Sequence, residues 1–174
     1  AEASSLAGTQ QLGNLNVIYD DTRISIEGDT HLAFTEDVAS RYRAYGWHVI
    51  EVATLADGNV DLVALDAAMV AAKAHTAQPT LIRLNSVIAW PAPKLRNTAK
   101  SHGSALGDEE IAATKLELGL NPDEKFAMPA DVFAHVRSVK ERGAAAHAEW
   151  NKKFDEWKSS NAEKASLLER LVKR

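Results

Sequence analysis

The stretch NLNVIYDDTRISIEG, Asn14–Gly28, runs an apolar segment into two adjacent carboxylates, Asp20 and Asp21, and then alternates through Thr22, Ile24 and Ile26 before stopping at a glycine. LNVIYD reads as a short strand, with Leu15, Val17 and Tyr19 on one face and Ile18 on the other. Both faces are therefore expected to be at least partly buried, as in a parallel sheet. Carboxylates at the end of such a strand stand where an α/β fold places its ligands. The stretch raises one question: whether those acids serve chemistry or merely begin a loop.

The flanks support the α/β reading. Residues 2 to 12 are rich in Ala, Leu and Gln, which favours a helix stopped by Gly13 and Asn14. Thr35 can cap a helix with Glu36 and Asp37 in its first turn, followed by Val38, Tyr42 and Tyr45 on one face and ended by Gly46. The strand WHVIEV follows at once. Asp61 can cap a helix carrying Leu62, Leu65, Met69 and Ala72, which Pro79 separates from a third strand, TLIRLNSVI. Strands alternating with helices predict a parallel sheet with flanking helices and ligand sites at the carboxyl ends of the strands.

After Ile88 the pattern changes. AWPAPKLRNTAKSHGSALG reads as a long loop, and loops of that length in a compact domain tend to be functional or mobile. The remainder reads as helical: Asp108 to Leu118, then a helix from Pro129 with Trp150, Phe154 and Trp157 on one face as packing, and a last amphipathic turn set by Leu167, Leu168, Leu171 and Val172. The expected division is a partial α/β domain over 1–120 and a helical extension over 121–174.

The 174 residues, 45% hydrophobic and 25% charged, suffice for one domain with a real core and an appendage. A formal charge of -4 supplies no chain-wide positive field, so neither nucleic acid nor an anionic membrane is expected as a partner. The absence of cysteine excludes disulfides, thiolate metal sites and a cysteine nucleophile, and is compatible with a reducing cytoplasm, the expected compartment. There is no apolar run of roughly 18 residues and no basic-then-apolar leader, so a soluble protein is expected. The opening AEASSLAGTQQLGN has no methionine and reads as a helix already under way, hence as a cut.

Read from residues alone, Asp20 and Asp21 keep three meanings open. They suit a hard cation; they also suit a loop start, because Asp tolerates turn conformations. Aspartyl phosphotransfer fits least, since no Asp-x-Asp-x-Thr pattern is present and no later strand ends in a suitably placed lysine. By the same reasoning Glu2 is a solvated acid near a helix start and His102 an ordinary loop histidine. His31, His48, His75, His135 and His147 lack metal-like spacing and receive no role.

The segments EASSLAGTQQLGNL, YDD-RISIEGDT, F-EDVASRYRAYGWHV, QPTLIRLNSVI and HGSALGDEEI together resemble the transketolase family in its actinobacterial form, and specifically the later part of its thiamine diphosphate-binding domain. The likeness runs from Glu2 to the end of the chain. It implies a homodimeric transferase that moves a two-carbon ketol unit between sugar phosphates in the pentose phosphate pathway, using thiamine diphosphate and Mg or Ca. In that family the strand ends in Asp-Asp-Asn, and the metal takes the Asn side-chain oxygen and a backbone carbonyl two residues later, donors suited to a hard cation.

By resemblance the carbonyl belongs to Ile24 and the Asn position to Thr22, a shorter and poorer donor. Ile26 and Ile88 would form apolar walls at the cofactor, His102 would hydrogen-bond substrate or intermediate, and Glu2 would join a glutamate network between the two active sites. Ala89 and Ala99 stand where glycine is common, and a Cβ there restricts the loop over the cofactor. The family's Gly-Asp-Gly motif is expected just before Ala1, and the pyrimidine-binding domain after this segment. The expected partners are therefore the remainder of the transketolase chain and a second subunit, and the isolated chain is expected to be inactive. The alternative is a non-catalytic α/β binding or scaffold module that keeps only the fold.

Overall fold

The computed structural model describes residues 1–173. Helix α1 (Glu2–Thr9) leads into β1 (Asn16–Asp21), followed by a hairpin of two short strands, β2 (Ile24–Ser25) and β3 (Gly28–Asp29), and a 3-10 turn over Thr30–Leu32. Then come α2 (Val38–Ala44), β4 (His48–Val52), α3 (Leu62–Ala74), β5 (Thr80–Asn85), α4 (Lys100–Gly103) and α5 (Asp108–Glu117). These elements form one compact unit, Ala1–Asp123. A second unit begins at Glu124 and holds α6 (Ala130–Ser160) and α7 (Ala162–Val172).

The main sheet has the order β1-β5-β4, and both pairings are parallel, as the alternation of strands and helices predicts. β5 lies in the middle and is buried on both faces, with Leu81 and Ile82 each 1% exposed. Its two faces serve two cores. Ile82 and Leu84 pack with Val52 and with Ala68 and Ala72 of α3. Leu81 packs on the other side with Ala7 and Trp47, flanked by Val17, Tyr19, Val38 and Tyr42. Complete burial of a leucine or isoleucine side chain contributes about 1.5–3 kcal/mol, so the central strand concentrates the cohesion of the unit. Trp47 is held further by its indole N–H, which donates to the Ser4 carbonyl at 2.8 Å, and by an edge-on contact with Tyr42.

Three local readings change. The cap of α2 is Asp37, whose carboxylate accepts from the Ser40 amide at 3.1 Å and the Ser40 hydroxyl at 2.6 Å, so the helix starts after Asp37 and Thr35 lies outside it. The second face of β1 is not buried: Ile18 is 48% exposed, because α3 packs on that side over β4 and β5. β5 ends at Asn85, and Ser86 to Ile88 already belong to the following turn. The cap at Asp61 forms as expected, accepting from the Ala64 amide at 2.9 Å.

In the second unit the aromatic residues of α6 form a ladder along one helix face. His147, Trp150, Phe154 and Trp157 stack with successive ring centroids 6.3, 4.8 and 5.6 Å apart. Trp150 stays 55% exposed, so the stripe packs chiefly on itself. Among the described residues no helix is long and apolar enough to cross a membrane.

Candidate functional site

Successive strand residues point to opposite faces, and this alternation separates the two carboxylates at the end of β1. Asp21 turns to the face of α1 and α2. There its Oδ2 accepts from Arg83 Nε at 2.9 Å and Nη2 at 2.7 Å, and Arg23 Nε lies 3.9 Å away. The parallel register sets Glu51 of β4 directly opposite Arg83, which donates through Nη1 at 3.0 Å, and Arg43 closes on Glu51 at 2.8 Å. Asp21 is thus a structural ion-pair partner. Its nearby negative charge and partial burial hold the Tyr19 phenol above its ordinary range, burial being the larger cause.

Asp20 turns the other way. Its Oδ1 accepts from the Ser86 hydroxyl at 2.5 Å, joining the ends of β1 and β5. Asp20 and Ser86 line a cavity of about 360 Å³ at the carboxyl edge of the sheet, together with Thr22, Gly58, Asn59, Val60, Leu84, Val87, Ile88, Ala89 and Trp90. Three loops build it: the one after β1, the one between β4 and α3, and the one after β5. It lies where an open parallel sheet places its ligands.

The expected site residues divide. Thr22 and Ile88 line this cavity. Ile24 is next to it: the Thr22 hydroxyl lies 3.4 Å from both the Ile24 carbonyl oxygen and the Ile24 amide nitrogen. The alternation Thr22, Ile24, Ile26 is not one continuous strand: only Ile24 lies in β2. The chain folds back in a tight hairpin in which Ile24 pairs with Asp29, Gly28 takes a φ of 148° that only glycine adopts readily, and Ile26 sits 67% exposed at the tip. His102 is exposed on the short α4 and does not line the cavity. Glu2 is fully exposed at the start of α1, where its own backbone amide and then the terminal ammonium hold its carboxyl below the usual range. Among the described residues no group of three or more His, Cys, Asp or Glu is placed to hold a metal.

The two alanines in glycine-like positions also separate. Ala99 has φ -56°, which any residue adopts, so its Cβ restricts nothing. Ala89 has φ 57°, in the left-handed region, directly on the cavity wall. That conformation costs an alanine about 1–2 kcal/mol. Ala89→Gly is therefore expected to stabilise the chain by about 0.5–1 kcal/mol, part of the relief being offset by the greater freedom of glycine when unfolded. Urea unfolding at matched slope measures it, and an equal or lower midpoint contradicts the assignment of strain.

Residues that pattern reading passed over are Ser86, Trp90 and the turn at Asp57–Val60. The Asp-Gly-Asn sequence there was a legible turn signal, but nothing in it told that the turn reaches the carboxyl edge of β5.

Comparison with known proteins gives this geometry its context. The family described as "Transketolase, thiamine diphosphate binding domain" matches residues 1–174. The Mycobacterium leprae transketolase is 50% identical over 172 residues, 99% of this chain and 24% of that protein. The chloroplastic transketolase of Zea mays is 44% identical over 98% of this chain and 25% of its own length. Among solved structures, the Pichia stipitis transketolase in complex with sedoheptulose-7-phosphate superposes with a TM-score of 0.84 at 41% identity, covering 97% of this chain and 24% of that one. The Leishmania mexicana transketolase gives 0.85 at 36% identity, covering 96% and 24%. This chain thus spans about a quarter of the length of these relatives. It belongs to the transketolase family, as a thiamine diphosphate-binding domain.

Proposed function

We propose that this chain supplies one wall of the cofactor site of a transketolase, an enzyme that moves a two-carbon ketol unit between sugar phosphates in the pentose phosphate pathway of the cytoplasm. The observation that carries the proposal is the meeting of Thr22, Asp20 and Ile88 on a single cavity at the carboxyl edge of the sheet. Thiamine diphosphate, when bound, supplies the carbanion chemistry, and the protein positions it and sets its surroundings.

The donors present suit a divalent metal in kind. Thr22 Oγ1 and the Ile24 carbonyl are neutral oxygens 3.4 Å apart, and hard cations take oxygen ligands. Two oxygens on adjacent corners of an octahedron stand about 3.4 Å apart for Ca²⁺ and about 2.9 Å for Mg²⁺, so the observed spacing matches the larger ion and asks for a closure of about 0.5 Å with the smaller. Thr22 and Ile24 would hold the metal, Ile88 would give an apolar wall to the cofactor, and Ile26, at the hairpin tip, would extend that wall. His102 would meet the substrate from the loop after β5. In this reading Glu2 belongs to a contact with a second subunit of a homodimer.

Two observations support neighbours beyond this segment. α3 exposes Leu62 by 70%, Val63 by 82% and Val70 by 61% on the side away from its own core, apolar area of the sort that another surface covers. The Asn85 side-chain oxygen at the end of β5 is buried without a hydrogen-bond partner, an arrangement that a donor from an adjoining segment resolves. The remaining family chain and the second subunit are the proposed sources, and the helical stretch over 121–174 leads toward the pyrimidine-binding domain.

The non-catalytic alternative draws on Ala89, whose strained backbone faces the cavity, and on Thr22 in place of an amide. The deciding experiment compares ketol transfer by the full-length protein carrying this chain, with thiamine diphosphate and Mg²⁺, against the chain alone. Cofactor-dependent transfer by the full-length protein only is the expected result, and no transfer by either favours the scaffold.

A further inference from the structure

The cavity has a second side that the cofactor reading leaves without a role. Between β4 and α3 the chain makes a self-contained turn: the Leu55 amide donates to the Asn59 carbonyl at 2.8 Å, the Gly58 amide to the Leu55 carbonyl at 3.0 Å, and Thr54 bridges Val60. Side chains tighten it, with Asp57 Oδ1 accepting from the Asn59 amide at 2.9 Å and Asn59 Oδ1 from the Val60 amide at 2.8 Å. Val60 seats the end of the turn against the core cluster of Val52, Ile82 and Leu84, but its tip at Asp57 and Gly58 has no such anchor of its own. The tip is tied from the opposite loop, where the Trp90 indole N–H donates to the Asp57 carbonyl at 3.1 Å.

Packing reinforces the tie. A Cβ built on Gly58 would stand 3.4 Å from Trp90 Cδ1 and from Val87 Cγ2, so the glycine backbone lies directly against the loop after β5. Gly58 has φ 90°, so the same position also requires a residue without a Cβ. Gly58, Asn59 and Val60 line the same cavity as Val87, Ile88 and Ala89.

We infer that the Asp57–Val60 turn is a working wall of the cofactor cavity and that Trp90 is the positioning residue that holds it there. The inference rests on the reading of the cavity as part of a thiamine diphosphate site. Replacing Trp90 with phenylalanine keeps an aromatic ring on the wall while removing the N–H donor and part of the indole's volume. Gly58→Ala disturbs the same contact from the other side.

The test is thiamine diphosphate titration of the full-length protein carrying this chain. Trp90→Phe is expected to weaken binding by about three- to tenfold, the worth of one hydrogen bond, and Gly58→Ala by a similar factor through its added Cβ and the strain at φ 90°. Gly46→Ala serves as the matched control, because Gly46 also has a positive φ, 83°, yet lies outside the cavity lining. It imposes comparable backbone strain and is expected to leave cofactor affinity within experimental error. Hydrogen exchange at the Gly58 and Leu55 amides is expected to quicken in Trp90→Phe, reporting release of the turn without any ligand. Unchanged affinity in Trp90→Phe, or equal losses in Gly46→Ala and Gly58→Ala, overturns the inference. A parent protein that binds no thiamine diphosphate overturns the functional reading and the assigned occupant together. Unchanged exchange in Trp90→Phe overturns the positioning role on its own.

Discussion

Supplied with thiamine diphosphate, Mg²⁺, a ketose phosphate donor and an aldose phosphate acceptor, the isolated 174-residue chain is expected to transfer no two-carbon unit. The cavity brings one carboxylate to its wall, Asp20, and that group is already engaged by Ser86. Thr22 and Ile24 offer two neutral oxygens where a hard cation takes six or more, so in the proposed site they would hold a metal and a diphosphate from one side only. His102 lies exposed and outside the cavity lining. Enzymes supply about 8–23 kcal/mol of transition-state stabilisation, and a wall lacking most metal ligands and an acid to set cofactor ionisation forfeits nearly all of it. A coupled assay reads the result, and turnover above a protein-free control contradicts it.

The largest expected loss of stability follows Arg83→Met. Arg83 and Asp21 keep only 20% and 10% of their side-chain surface exposed, and their two hydrogen bonds join the edge strand β1 to the central strand β5. Removing the guanidinium leaves Asp21 nearly buried with only Arg23, 3.9 Å away, as a counter-charge. Breaking a fully buried pair in this way costs about 3–5 kcal/mol; the partial exposure of Arg83 lowers the expectation to about 2–3 kcal/mol. Glu51 is nearly half exposed and retains Arg43, so its loss adds little. The double variant Asp21→Leu with Arg83→Met removes both charges and is expected to recover most of the loss. Chemical unfolding of the three proteins at neutral pH measures this, and a single variant as stable as the parent would show that the pair is not what holds β1 to β5.

The order of strands and helices in the α/β part was legible because the helices between the strands carry clear boundary residues: Gly13 after α1, Gly46 after α2 and Asp61 before α3. The parallel sheet follows from that order, and burial of β5 follows from its nearly continuous apolar run, Leu81 to Leu84, broken only by Arg83. The choice of Asp37 over Thr35 as the cap of α2 was not legible, because both are good N-cap residues in sequence, and only geometry shows which side chain meets the Ser40 amide. The hairpin after Asp21 was hidden by periodicity: Thr22, Ile24 and Ile26 alternate as a strand does, while a tight turn at Ile26 and Glu27 reverses the chain.

The site was legible in its parts more than in its assembly. Adjacent acids at a strand end announce a ligand edge, but pattern alone does not tell that Asp20 faces the cavity while Asp21 faces Arg83. That choice depends on strand pleat, and the Arg83 partner lies 62 residues away. The wall formed by Asp57–Val60 was illegible for the same reason, since its link to Trp90 spans 33 residues and runs through a backbone carbonyl, which no side-chain pattern records.

Thr22 carries the central claim, because its hydroxyl and the Ile24 carbonyl are the pair assigned to the metal. An asparagine amide oxygen reaches one atom further than a threonine hydroxyl and donates better. Mg²⁺ demands short, regular octahedral contacts and gives up water reluctantly, whereas Ca²⁺ tolerates the 3.4 Å oxygen spacing already present. Calorimetric titration of thiamine diphosphate into the full-length protein, with and without Thr22→Asn, in Mg²⁺ and in Ca²⁺, is the direct measurement. Thr22→Asn is predicted to tighten binding in Mg²⁺ by roughly tenfold, about 1.4 kcal/mol, with a smaller gain in Ca²⁺. Equal affinities for both proteins in both metals would place residue 22 away from the metal and contradict the assignment of this edge of the sheet to the cofactor.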